Sequence, residues 1–102
     1  MKKSPFDPEH KALADLLRDI RMTAKITQEQ LAEHLNWRQG DVSKVERCIR
    51  QVGYVELRHW ASALGTDMLA LEMEYQDRLE RLGVAAPAKP AKRRVRKLTS
   101  TS

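Results

Sequence analysis

The ten residues QGDVSKVERC, at positions 39–48, place hydrogen-bonding side chains on one face of a short predicted helix. At about 100° per residue, Val42 and Val45 share the buried face of this helix. Lys44 and Arg47 then lie on the opposite face, beside small polar residues. The groups on this outward face are small, polar and capable of hydrogen bonding, and an ordinary solvated face has the same composition. The function of this face can therefore be inferred only from the elements that surround it in the sequence.

Other chemistries find little support in the residues. The three histidines and the single cysteine lack the CxxC and HxxxH spacings of metal ligands. The sequence also contains neither a Gly-rich phosphate-binding loop nor a nucleophile elbow. We therefore expect no enzymatic activity, no metal and no other cofactor.

Composition favours one small helical domain. The 102 residues are 41% hydrophobic and 32% charged, which suits a single modest core. Aromatic residues make up only 5%, so the core should be aliphatic. One cysteine excludes an intramolecular disulfide and fits a reducing compartment, and no apolar run approaches the roughly 20 residues that span a bilayer. A cytoplasmic protein without membrane contact is expected.

The positive charge of the chain is concentrated at its C-terminal end. The net charge is +5, and subtracting the six cations that follow Gly83 leaves −1 for residues 1–82. Because residues 83–102 are rich in Ala, Pro, Lys and Arg and lack apolar periodicity, we predict a disordered basic tail. Its cations either add non-specific affinity for phosphates or only keep the protein in solution.

Five helices are predicted from their capping residues and from apolar side chains at intervals of three and four. Asp7 followed by Pro8 is typical of a helix start. Thr27 and Gln30 have the spacing of a capping box. The helices are expected at about residues 8–24, 28–35, 39–48, 54–64 and 67–82, within a single domain, residues 8–82, that follows a flexible segment, residues 1–7.

Several spaced motifs occur in the order that one known family shows. They are Arg21, then Thr27-Gln28-x-x-Leu31-Ala32, then Val42-Ser43-Lys44-Val45-Glu46-Arg47, then Leu57 with Trp60-Ala61-x-Ala63-Leu64-Gly65. Over about residues 13–68 this order resembles the DNA-binding domain of phage repressors and Cro, the XRE-type helix-turn-helix family. The resemblance implies an all-α, compact, five-helix, lambda-repressor-like domain. In this chain an extended fifth helix and the disordered basic tail would be added.

The resemblance implies that the third helix is a recognition helix in the major groove of double-stranded DNA. Gln39 occupies the position from which such proteins read a base, and its amide can pair with adenine N6 and N7. Lys44 can donate to guanine O6 or N7. Asp41 can accept from cytosine N4 or can instead interact with the helix dipole. Gly40 allows close approach of the backbone, and these four residues form the expected base-contact set.

A second set of polar residues is expected at the DNA phosphates. Thr27 and Gln28 open the second helix, where free amides suit a phosphate, although both residues can simply cap the helix. Arginine side chains near the recognition helix can contact phosphates or can merely be solvated. The expected phosphate contacts are Thr27, Gln28, Arg38, Ser43, Arg47 and Arg50.

Two further features follow from the resemblance. Arg21 and Glu46 match a partly buried ion pair that joins the first helix to the end of the third, and they are expected to have a structural role. Cys48 stands where the family commonly has a left-handed glycine. Either the third helix continues toward Arg50, or the turn is rebuilt.

The fifth helix carries an apolar stripe that predicts a homodimer seam, with completion of the monomer core as the alternative. The stripe consists of Met68, Leu71, Tyr75, Leu79 and Leu82. The function expected is that of a sequence-specific transcriptional regulator, most simply a nucleoid-associated repressor that binds a pseudo-palindromic operator. The alternative is an antitoxin-type protein, whose main partner would be a toxin or another regulator.

Overall fold

The computed structural model describes residues 7–84, which form five α-helices and no strand. The expected all-α, five-helix fold is confirmed. Residues 1–6 and 85–102 lie outside the described residues, and so do most of the predicted flexible N-terminal segment and most of the predicted disordered tail. No helix within residues 7–84 combines the length and apolar character needed to cross a membrane. The helices are α1 (Pro8–Thr23), α2 (Gln28–Leu35), α3 (Gln39–Glu46), α4 (Tyr54–Ala63) and α5 (Met68–Leu82).

Side-chain caps fix where three of the helices begin. The Asp7 carboxylate accepts from the His10 amide at 2.9 Å and starts α1. The Thr27 hydroxyl accepts from the Gln30 amide at 3.0 Å, and the Gln30 side chain accepts from the Thr27 amide at 2.9 Å, which completes the predicted capping box of α2. Asp67 caps α5 in the same way. Each cap satisfies amides that a helix start otherwise leaves unpaired.

The core lies between α1, α2, α3 and α4, with α5 packed over α1 and α4. Trp60 of α4 is 0% exposed and lies at its centre, and Val42 and Val45 anchor α3 to it. Asn36 closes α2 in a left-handed conformation with φ 63°, which lets the chain turn directly into α3. The helix, tight turn and helix predicted from the sequence are therefore present.

The end of α3 differs from the prediction of a helix to residue 48. The helix stops at Glu46, so it does not continue toward Arg50, and the turn is not rebuilt either, because Cys48 itself takes the left-handed conformation with φ 62°. The Ile49 amide donates to the Lys44 carbonyl at 2.8 Å, as in a glycine-type helix stop. A left-handed non-glycine residue costs about 1 to 2 kcal/mol. Burial of the sulfur offsets part of this cost and raises the pKa of the Cys48 thiol.

The apolar stripe of α5 lies largely inside the monomer. Leu71 and Leu79 are buried, and Met68 and Tyr75 pack against the core. The Tyr75 hydroxyl donates to the Glu9 carbonyl at 3.0 Å, which ties α5 to α1. Leu71 and Leu79 therefore have little surface left for a second chain, whereas Met68 and Tyr75 are half-buried, and a dimer seam on this stripe stays a prediction. Only Leu82, the last residue of the predicted seam, is exposed.

Candidate nucleic-acid interface

The exposed side of the helix-turn-helix consists of the start of α2 and the outer face of α3. Val42 and Val45 face inward, whereas Gln39, Gly40 and Lys44 are exposed. A Cβ atom added to Gly40 would meet no atom within 4 Å, so packing within the protein does not require glycine there. Because glycine has no side chain, the backbone of α3 can approach a ligand closely at this position.

Arg21 and Glu46 form a bidentate ion pair beneath this surface. The Arg21 Nε donates to Glu46 Oε2 at 2.6 Å and its Nη2 donates to Oε1 at 3.0 Å. The side chains are only 12% and 2% exposed, respectively. Arg21 Nη1 also donates to the Ile26 carbonyl at 2.8 Å, so one guanidinium joins the end of α1, the α1–α2 turn and the end of α3. This geometry agrees with the structural role expected for the pair.

A chain of hydrogen bonds runs from this ion pair to the surface. Gln28 Nε2 donates to Glu46 Oε1 at 3.0 Å, and Gln39 Nε2 donates to Gln28 Oε1 at 2.8 Å. Since a carboxylate only accepts hydrogen bonds, Glu46 fixes which end of the Gln28 amide faces it. The Gln28 oxygen must then face Gln39, which fixes the Gln39 amide as well. The buried ion pair therefore sets the orientation of an exposed amide on α3.

Gln39 keeps one acceptor and one donor for an outside partner. Its Oε1 and its second N–H have no partner among residues 7–84. The two groups lie in one amide plane, which is the arrangement that pairs with an adenine edge through N6 and N7. The sequence predicted Gln28 and Gln39 as separate contacts and missed the bond between them. Both glutamines begin helices of the helix-turn-helix, and this was the available signal that they are neighbours.

Several expected contact residues also have structural partners. The Thr27 hydroxyl and amide are used in the capping box of α2. The Asp41 carboxylate lies 3.4 Å from the Arg38 amide at the start of α3, which agrees with the helix-start alternative for Asp41. Arg47 Nε donates to the Ser43 hydroxyl at 3.1 Å, so these two side chains sit together on the exposed face of α3.

Arg50 is held more firmly than a solvated phosphate-binding arginine would be. Its Nη2 donates to Glu56 Oε2 at 2.9 Å, and its guanidinium carbon lies 4.5 Å from the centre of the Trp37 ring. Hydrogen bonds from the Gly53 amide and from Arg50 lower the pKa of the Glu56 carboxyl. Trp37 in turn packs edge-on against Trp60, with ring centres 5.8 Å apart. Arg50 thus braces the segment between α3 and α4.

Comparison with known proteins identifies the arrangement. A family pattern described as a helix-turn-helix domain matches residues 12–72. The structure of an XRE-family like protein from Pseudomonas syringae pv. tomato str. DC3000 is 36% identical, covers 68% of this chain and 84% of its own, and superposes with a TM-score of 0.63. No match was found among curated protein sequences.

Two other solved structures share the architecture. The clp gene regulator ClgR from Corynebacterium glutamicum is 25% identical over 76% of this chain and 82% of its own, with a TM-score of 0.70. The restriction-modification controller protein C.Esp1396I is 19% identical over 74% of this chain and 97% of its own, with a TM-score of 0.69. At this lower identity the likeness to C.Esp1396I concerns the fold alone.

Proposed function

We propose that this chain, which belongs to the helix-turn-helix family and is a non-enzymatic, XRE-type DNA-binding transcription regulator, acts as a repressor on a pseudo-palindromic operator. In this proposal α3 lies in the major groove and covers promoter DNA. The observation that carries it is the oriented amide of Gln39, which Gln28 and the Arg21–Glu46 pair hold in a pose suited to a base edge.

The proposed contacts divide into base readout and phosphate binding. Gln39 pairs with adenine, Lys44 one turn later donates to guanine, and Gly40 lets the backbone come close. The remaining N–H of the Gln28 amide serves a phosphate. Arg38, Ser43 and Arg47 are proposed at the flanking phosphates, where each neutralised phosphate steepens the dependence of log affinity on log salt by about 0.9. Arg50 acts mainly by bracing the α3–α4 segment rather than as a free phosphate contact.

Selection of bound sequences from random double-stranded DNA tests this function. We expect the wild-type chain to enrich one motif that contains an adenine and a guanine in each half. Lys44→Ala should lose the guanine preference, at a cost of about 1 to 3 kcal/mol, and keep the rest of the motif. Lys11→Ala is the matched control, because Lys11 is an exposed lysine paired with Asp15 on α1. Failure of the wild type to enrich any motif would contradict a sequence-specific repressor.

We propose a homodimer through the outer face of α5 rather than through its buried stripe. Leu69 and Met73 are 72% and 65% exposed and lie one turn apart on this helix. Two copies related by a two-fold axis would bury these side chains against each other, with the exposed Asp77–Arg81 pair near the rim. A two-fold dimer would also match the two half-sites of a pseudo-palindromic operator.

Met73→Glu is expected to convert the dimer to a monomer, because it places a carboxylate at the centre of an apolar contact. Sedimentation velocity over a range of protein concentrations measures the change. Met22→Glu makes the same replacement at another exposed methionine, on α1, and should leave the dimer intact. A wild-type chain that remains monomeric at high concentration would rule out the proposed dimer.

A further inference from the structure

A cavity of about 130 Å³ lies behind the recognition helix, away from its DNA-facing side. It is bounded by the first half of α1, the end of α3 and the segment that leads to α4. Most of its wall is apolar, and the polar side chains of His10, Arg50 and Gln51 complete it. The apolar wall consists of Leu13, Ala14, Leu17, Val45, Cys48 and Val52.

The polar side of the cavity offers a defined hydrogen-bonding group. His10 Nδ1 lies 2.9 Å from the Asp7 carboxylate, and in the neutral imidazole the proton that this carboxylate accepts is carried on Nδ1. His10 Nε2 is 3.0 Å from Gln51 Nε2 and therefore accepts from the Gln51 amide. The side-chain oxygen of Gln51, Oε1, and the second N–H of its side-chain amide have no hydrogen-bond partner among residues 7–84. One carboxamide, held by His10, can thus pair with a hydroxyl group that enters the cavity.

The cavity volume sets the size of the ligand. An enclosed apolar cavity of about 150 Å³ admits benzene, and this cavity, which is partly open to solvent, offers about 130 Å³, enough for a single six-membered ring. A carboxylate is disfavoured, because the one nearby guanidinium, that of Arg50, is already paired with Glu56 at 2.9 Å. The walls and the carboxamide together fit a small, neutral, cyclic alcohol.

The location of the cavity connects it to DNA binding. Val45 is one of the two buried valines that anchor α3, and Cys48 forms the left-handed turn that ends this segment. A ring that packs against both residues would add contacts to α3 in the arrangement that carries the Gln39 network, and these contacts would be lost if the end of α3 moved away. Binding of such a ligand should therefore favour the DNA-binding conformation, and DNA should strengthen ligand binding by the same factor.

We propose that this cavity is an effector site for a small phenol-like alcohol, whose ring fills the apolar part and whose hydroxyl pairs with Gln51, and that the ligand strengthens operator binding. The regulatory part rests on the proposed function. The binding part stands independently of it, because the cavity does not include the DNA-facing residues. Phenol is the probe, with an expected Kd on the order of 1 mM for a ligand of this size.

Titration of the full chain with phenol, followed by amide NMR without DNA, tests the site. Saturable shifts are expected at Val45, Cys48 and Gln51. Ala14→Leu should abolish them by filling the cavity, and Ala24→Leu, at an exposed alanine that does not line it, should not. Absence of saturation in the wild type, or equal binding by Ala14→Leu, would overturn the site.

A second variant covers the case in which Ala14→Leu does not fold. Gln51→Ala, at an exposed residue, should weaken phenol binding about 3- to 10-fold and leave benzene binding unchanged, since only phenol uses the hydrogen bond. Equal losses for both ligands would overturn the role of Gln51. With the enriched DNA motif, saturating phenol should raise affinity about five-fold. Unchanged affinity would overturn the regulatory part, whereas failure to enrich a motif would contradict the proposed function and leave the phenol site standing.

Discussion

Arg21→Met is expected to lower the free energy of unfolding by about 3 to 5 kcal/mol. The variant leaves the Glu46 carboxylate, whose side chain is 2% exposed, without its bidentate partner. A small domain has about 5 to 15 kcal/mol of stability in total, so the variant should be close to unfolding at moderate temperature. Chemical denaturation followed by circular dichroism measures the change through the shift of its midpoint.

Arg78→Met is the matched control for this loss. Arg78 joins α5 to Asp19 of α1 at 2.7 Å, but the side chains of this pair are 23% and 50% exposed. Solvent screening should therefore keep the contribution of this ion pair below about 1 kcal/mol. If the two variants lose similar free energies of unfolding, burial does not make the Arg21–Glu46 pair contribute more to stability than the more exposed Arg78–Asp19 pair.

The double variant Arg21→Met with Glu46→Leu separates stability from orientation. Replacing both charges of a buried pair by apolar side chains is often neutral or stabilising, so most of the lost stability should return. The Gln28 amide, however, would no longer have a carboxylate to orient it. We expect a folded protein with operator affinity about ten-fold below wild type, as one lost charge-assisted hydrogen bond implies. Wild-type affinity would show that the network does not position Gln39.

Much of the fold follows from local chemistry in the sequence. The Thr27–Gln30 capping box depends only on the spacing of two residues, and the inward direction of Val42 and Val45 depends only on helical periodicity. These features do not depend on how the helices pack against one another. The Arg21–Glu46 pair, in contrast, was predicted from the family resemblance, because its partners are 25 residues apart and share no local pattern.

The features that were missed depend on how elements meet in space. An apolar stripe looks the same whether a core or a second chain covers it, and in α5 the core covers Leu71 and Leu79. Arg50 carries a charge that suits a phosphate, but packing brings Trp37 and Glu56 to it first. Sequence spacing alone gives the chemistry of a side chain, whereas its partners are set by the packing of the helices.

Gln39→Ala is expected to weaken binding to the enriched operator by about 1 to 3 kcal/mol, or roughly 5- to 150-fold, and to leave non-specific DNA binding unchanged. The alanine removes the amide that pairs with adenine but alters neither the charge of the surface nor its phosphate contacts. Gln39→Glu should bind more weakly still. Its carboxylate can donate neither to Gln28 Oε1 nor to adenine N7, and the DNA phosphates repel it.

A thermodynamic cycle decides whether Gln39 reads the adenine directly. Replacing that adenine in the operator should cost the wild type about as much as Gln39→Ala does, and should cost the variant almost nothing. Binding titrations at one fixed salt concentration measure all four combinations. Ser62→Ala, at an exposed uncharged residue of α4 away from both proposed interfaces, should behave as wild type. If replacing the adenine costs Gln39→Ala as much affinity as it costs the wild type, another group reads this base. The amide of Gln39 would then only help to hold α3 in the groove.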